Sequence, residues 1–472
     1  MTTTDPLLHV HTNPQSLGRS RERISLITEA ARRAGSYVAG ASHRPVHPTA
    51  EAVAALDAFR RPLQDEPIPA RDVLAELDAF GSPATVVSTH GRYFGFVNGG
   101  TDPAAHAASI LAGAWDQNVG GTIMSPAAAV LDEVARGWVI DALGLPSTAA
   151  GAFNAGATVA NLTGIIAARD ALYARQGRDV GRDGLAGAPA LRIIVGEEAH
   201  LSVLKALRLA GFGEAQIERV PTDGTGAIIA EAFPQDTDHL TLVLLQAGNV
   251  NTGASDPFEA IIPGVRERGG WVHVDGAFGL WAAASPQLRA QVRGVERADS
   301  WATDAHKWLN VPYDSGFVAV RDPRDLERAM AGTAAYLSAA HDSPMHRGIQ
   351  MSQRARAVET WAMLASHGRD GLAELIERSC AHAQRFAELL TAGGAELLAP
   401  VALNQVLVAF GDEHETAAVT AALQEDGTAW AGSSVWKGRA AMRISVSDAA
   451  TTRDDVDASA TAMLRCWRAV RG

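Results

Sequence analysis

Lys307 stands in the run Asp304-Ala-His-Lys-Trp308, with a histidine before the amine and a tryptophan after it. A lysine held in partly apolar surroundings beside a histidine keeps its amine available for Schiff-base formation. Upstream lies Trp271-Val-His-Val-Asp-Gly-Ala-Phe278, an apolar run with Asp275 at the predicted strand end. A desolvated carboxylate there is unfavourable unless paired. A protonated pyridine nitrogen is one such partner, and a helix cap is the ordinary alternative. The turn from Gly151 to Gly156 leads through Ala157 and Thr158 into a predicted helix. Backbone N–H groups and the helix dipole can hold an anion there, and the Thr158 hydroxyl adds to them. His200 follows another predicted strand, where α/β sheets collect ligands, and its imidazole can stack on a flat heterocycle. Ala277 is small enough to lie against the other ring face, and His306 can reach a phosphate. Amine, carboxylate, stacking imidazole and anion cradle together imply pyridoxal 5'-phosphate as cofactor, with no metal expected.

These residues need a scaffold that brings strand ends together. Apolar, β-branched runs at 191–195, 240–245, 270–274 and 315–320 predict strands, and 126–143 and 159–175 predict helices between them. That alternation predicts a mostly parallel sheet covered on both faces, an α/β class. Residues 1–19 are polar and read as a tail. Helical spacing then begins, with Ile24, Ile27, Ala31 and Ala34 on one face, and continues at 51–59 and 70–80. Such an arm has little core of its own and must pack on something else, for instance a partner subunit. Residues 177–189 predict a surface loop. Beyond 351, helices at 354–366, 372–391 and 414–425, strands at 405–410 and 441–446, and a helix through Met463 and Trp467 predict a small α+β unit. The expected division is 1–90 for tail and arm, 91–350 for a large cofactor-binding domain, and 351–472 for a small C-terminal domain.

Composition excludes several classes. The 472 residues are 47% hydrophobic and 20% charged, which argues against disorder. A net charge of −12 without a dense Lys/Arg block argues against nucleic acid and acidic membranes as partners. Cys380 and Cys466 cannot build a disulfide framework, and the polar start lacks a secretory pattern, so a reduced, cytoplasmic protein is expected. No apolar run approaches the ~20 residues of a membrane helix.

The motifs also fall in a familiar order. Ala-Gly-Ala-Thr158, Glu-Ala-His200, the run 247–257, His-Val-Asp-Gly-Ala277 and Asp-Ala-His-Lys-Trp308 resemble the group II pyridoxal-phosphate-dependent decarboxylases. That family includes the aromatic amino acid, glutamate and cysteine sulfinate decarboxylases. The resemblance runs from about residue 30 to the C-terminus and takes in His90-Gly-Arg-Tyr-Phe-Gly-Phe96 and Ser125-Pro-Ala. It implies the aspartate-aminotransferase fold (fold type I) and a homodimer with active sites at the interface. It implies an L-amino acid decarboxylase with the cofactor on Lys307, Asp275 at the pyridinium, and His200 and Ala277 on the two ring faces. Ala157, Thr158 and His306 would hold the phosphate. Asn249 stands where many members carry a threonine near the ring oxygen, and the chain departs from the pattern there.

A second departure lies between Tyr336 and Arg354. Aromatic amino acid decarboxylases have a longer loop there, bearing a tyrosine that helps protonate the quinonoid intermediate. The stretch 338–348 is shorter and has no tyrosine, which leaves His341 or His346 as substitutes. Arg354 or Arg356 can hold a substrate carboxylate, or bridge to Glu359 instead. Tyr93, Phe94 and Phe96 can line a side-chain pocket or lie in the core. The alternatives are an aminotransferase, a carbon–carbon lyase or an aldehyde-forming enzyme on this fold, or a cofactor-binding protein without turnover.

Overall fold

Short apolar strands cannot bury two faces alone, and seven of them join here into one sheet. The structure, a computed structural model, describes residues 14–332 and 343–472. The strands are β1 (Ala150–Asn154), β2 (Arg192–Gly196), β3 (Ile217–Val220), β4 (Thr241–Gln246), β5 (Trp271–Asp275), β6 (Ser300–Asp304) and β7 (Gly316–Val320). Their spatial order is β1-β7-β6-β5-β4-β2-β3. Strands β3, β2, β4, β5 and β6 are parallel, whereas β7 is antiparallel to both β6 and β1. Two reversals cancel, so β1 points the same way as the parallel set. The C-terminal ends of β1, β2, β4, β5 and β6 therefore reach one edge of the sheet.

Strand alternation sorts side chains between two apolar layers. Along β5, Val272 and Val274 enter the layer shared with the helices Pro126–Ala142 and Phe258–Glu267. Trp271 enters the opposite layer, under the helices Ala157–Ala174 and Leu201–Leu209. His273 and Asp275 share the Trp271 face by the same two-residue period. The helix Pro126–Ala142 starts cleanly because Ser125 accepts the Ala128 N–H and Pro126 needs no donor.

The strands expected at 191–195, 240–245, 270–274 and 315–320 correspond to β2, β4, β5 and β7, with ends shifted by one residue. Residues 151–154, read as turn, are extended in β1, and the turn proper begins after Asn154. β6 escaped notice because Ser300, Thr303 and Asp304 make it look polar, yet all of its residues are buried. A second, antiparallel sheet has the order β10-β11-β9-β8: β8 (Glu396–Leu397), β9 (Gln405–Ala409), β10 (Gly432–Trp436) and β11 (Arg439–Ser445). The two helices expected at 354–366 and 372–391 form one helical segment, Ala357–Ala392, broken at Gly368 (φ 60°, ψ −168°).

Residues Met1–His90 and Gly91–Gly472 are two separate compact units. The first holds the helices Pro14–Gly40, Ala50–Ala54 and Ala70–Glu76, and Arg33 of the first helix pairs at 2.8 Å with Asp78, just past the third. Among its described residues only Ala41, Val46 and Val87 are buried apolar side chains. No described helix is long and apolar enough to cross a membrane.

Candidate active site

Each candidate residue sits where a strand stops. Asp275 ends β5 and pairs in register with Gln246 of β4 on one side and Ala302 of β6 on the other. Asp304 ends β6, and the chain turns at once through His306 to Lys307. β1 ends at Asn154 and enters the helix Ala157–Ala174 through Gly156 (φ 147°). A Cβ on Gly316 of β7 would lie 2.4 Å from the Gly156 Cα, so this crossing admits no side chain at Gly316. His200 caps the helix Leu201–Leu209 just past β2.

A cavity of about 410 Å³ opens at this edge, lined by Lys307, Asp275, His200 and Ala277. Phe96, Val97 and Phe278 give it an apolar wall, and Arg443 of β11 enters it as a second cation. Asp275 is 4% exposed, and its nearest backbone donor is the Ala277 N–H at 3.2 Å. Burial raises its pKa, and His200 and Lys307 oppose that. No described cation lies within ion-pair distance of it. The His200 pKa is lowered by desolvation, and the charges of Lys307 and Arg443 add to that against Asp275.

Asp304 joins the amine to the anion cradle. Its Oδ2 lies 3.1 Å from Lys307 Nζ and 3.6 Å from His306 Nε2, and its Oδ1 accepts the Ala157 N–H at 2.5 Å. His306 Nδ1 accepts the Ser315 N–H, which leaves Nε2 as the donor, and burial lowers the pKa of this imidazole. Thr158 is half-buried in the first turn of the same helix. Ala157, Thr158 and His306 thus lie together beside the cavity.

Other sequence candidates fall elsewhere. The Asn249 side chain turns back on its own loop, where Oδ1 accepts the Asn251 N–H at 2.9 Å, and it does not line the cavity. The turn's own backbone donors, the Asn251 and Thr252 N–H groups, claim its oxygen. Arg354 and Arg356 both pair with Asp314, and Arg354 also pairs with Glu359, so neither reaches the cavity. Phe94 is fully buried against Phe386, Tyr93 stacks on Trp430, and only Phe96 of the three lines the cavity. His346 is buried away from the cavity lining, and His341 lies outside the described residues. Sequence reasoning missed Arg443. Its signal was a lone arginine between Met442 and Ile444 in an apolar strand.

The fold and the strand-end site define a pyridoxal-phosphate enzyme of the aspartate-aminotransferase type. The crystal structure of Oryza sativa TDC with PLP and tryptamine superposes with a TM-score of 0.86 over 100% of both chains, at 23% identity. The model of the pyridoxal-dependent decarboxylase conserved domain matches residues 57–411, and the chain belongs to that family, the group II decarboxylases. Tryptophan decarboxylase 1 of Oryza sativa is 31% identical over 68% of this chain, and L-2,4-diaminobutyrate decarboxylase of Acinetobacter baumannii 27% over 64%. The chain spans 66% and 63% of the lengths of these two relatives.

The residues present fit pyridoxal phosphate. A buried carboxyl without a cation of its own suits a protonated ring nitrogen. A lysine amine shares the same cavity, and a glycine-preceded helix N-terminus beside a histidine donor suits the phosphate.

Proposed function

We propose that this protein decarboxylates an L-amino acid with pyridoxal phosphate held at Lys307. The observation that carries the reading is one cavity shared by an amine (Lys307), a buried carboxyl (Asp275) and an arginine without an ion-pair partner among the described residues (Arg443). When bound, pyridoxal phosphate supplies an electrophilic carbonyl and an electron-accepting ring. Lys307 Nζ would hold its carbonyl carbon, and Asp275 would keep its ring nitrogen protonated. His200 and Ala277 would pack on the ring, while Ala157, Thr158 and His306 would hold the phosphate. Arg443 orients a substrate carboxylate through charge-assisted hydrogen bonds. Phe96, Val97 and Phe278 exclude water, which favours loss of a charged carboxylate as neutral carbon dioxide. The proton that takes its place is delivered within the cavity, where Lys307 Nζ and the His200 imidazole are the lining groups able to carry one.

The same proposal includes a homodimer. Ile110, Leu111, Ile123, Met124 and Val130 are each more than half exposed on and between the helices Pro103–Trp115 and Pro126–Ala142. An apolar area of that kind favours a subunit contact. Sedimentation measurements are expected to give twice the 49.5 kDa chain mass.

The activity test is a panel of L-amino acids assayed for carbon dioxide and amine together. Equal amounts of both from one substrate support the reading. Keto acid or aldehyde without amine would favour an aminotransferase or an aldehyde-forming enzyme on the same fold.

A further inference from the structure

His273 lies at the centre of β5, fully buried, two residues before Asp275 and on the same face of the strand. Its Nδ1 is 2.8 Å from Ser300 Oγ of the neighbouring strand, and its Nε2 is 2.8 Å from Asn161 Oδ1 of the helix Ala157–Ala174. Ser300 Oγ also lies 2.9 Å from Trp271 Nε1. An indole nitrogen can only donate. Ser300 Oγ therefore accepts from Trp271, and because Asn161 Oδ1 can also only accept, His273 Nε2 carries the hydrogen of the neutral ring and Nδ1 takes the Ser300 hydroxyl proton. The imidazole is then the Nε2–H tautomer, and it donates to Asn161 Oδ1. That bond leaves the Asn161 amide with its NH2 side free. Asn161 Nδ2 is buried and falls outside strict hydrogen-bond geometry to any group, but it is close enough to Asp275 to pull that carboxyl's pKa down.

Every donor from Trp271 through Ser300 and His273 to Asn161 points the same way, away from an indole that cannot accept. We infer that His273, acting through Asn161, is a positioning residue that presents an amide N–H to Asp275 and so favours its carboxylate form against the cofactor's ring nitrogen. The inference rests on the assignment of Asp275 to that nitrogen. A protonated His273 could no longer accept from Ser300, and burial keeps it neutral by lowering its pKa to about 3. The fit is tight. A Cβ on Gly164 of the same helix would meet the His273 ring at 2.5 Å, so glycine there lets the helix approach the imidazole.

The test is binding to the apoprotein, read by quenching of tryptophan fluorescence. Pyridoxal phosphate is compared with its carbocyclic analogue, in which the ring nitrogen is CH. His273→Phe and Asn161→Leu are each expected to weaken pyridoxal phosphate about tenfold, the scale of one hydrogen bond to a charged group, and to leave the analogue unchanged. His273→Gln, which can still accept from Ser300 and donate to Asn161, is expected to restore the difference. Equal weakening of both ligands, or no weakening of either, overturns the inference and leaves His273 as packing. Asp275→Ala is the control. If it fails to distinguish the two ligands, the Asp275 assignment is wrong and the inference falls with it. If it distinguishes them while Asn161→Leu and His273→Phe do not, only the inference fails.

Discussion

Lys307 Nζ lies 3.1 Å from Asp304 Oδ2, while the other oxygen of that carboxylate holds the Ala157 N–H. One acidic side chain thus connects the amine to the helix N-terminus suited to a phosphate. A phosphate entering the cradle meets a negative charge as well as donors. Asp304→Asn is expected to tighten binding of pyridoxamine phosphate to the apoprotein by about tenfold, the order of one solvent-screened charge pair. Calorimetric titration checks this, and that ligand is chosen because it forms no bond to Lys307. Unchanged or weaker binding would mean that carboxylate and phosphate do not compete.

Asp275→Asn is expected to retain the cofactor and lose turnover by ~10²–10³, as for removal of one strong electrostatic contact to a reacting group. Steady-state rates with the cofactor band monitored in parallel measure both. Near-normal turnover would reduce Asp275 to a cap for the Ala277 N–H.

Arg443→Gln is expected to raise KM about ten- to hundredfold, the loss of a charge-assisted contact, with the cofactor spectrum unchanged. Arg354→Gln is the control, since Arg354 already pairs with Asp314 and Glu359. A larger KM effect from Arg354 than from Arg443 would reassign the substrate carboxylate.

His273 also sets an acid limit on stability. Its folded pKa of about 3 is depressed from 6.5, so the unfolded chain takes up a proton across that window and the folded chain does not. The contribution is present above pH 6.5 and is lost as pH falls towards 3. His273→Gln is therefore expected to flatten the decline of unfolding free energy over that range. Urea midpoints at several pH values decide it, and an unchanged slope would show that His273 is protonated in the fold.

The chemistry was more legible than the architecture that carries it. Lys307 and Asp275 stood out because each side chain has few reasons to follow an apolar run, and the flanking histidine and glycine narrowed those reasons further. β1 and β6 did not stand out. Ala150-Gly-Ala-Phe-Asn154 has low strand propensity, and the Ser300 hydroxyl and the Asp304 Oδ1 are satisfied by Trp271, His273 and Ala157, all distant in sequence. Arg443 was hidden for a related reason, since only the approach of β11 to the edge of the large sheet gives it a cavity to enter. Asn249 was legible only as a departure from the family pattern, and the hydrogen bond that its side chain accepts from the Asn251 N–H follows from the fold of its own turn.

Every proposed role in the cavity depends on Lys307 carrying the cofactor. Borohydride reduction of the yellow holoenzyme, followed by peptide mapping, tests it directly. A stable pyridoxyl label is expected on the peptide containing Lys307, with no covalent label in Lys307→Ala, although cofactor still binds through its phosphate. A label on Lys205 or Lys437, or covalent labelling that survives Lys307→Ala, would contradict it.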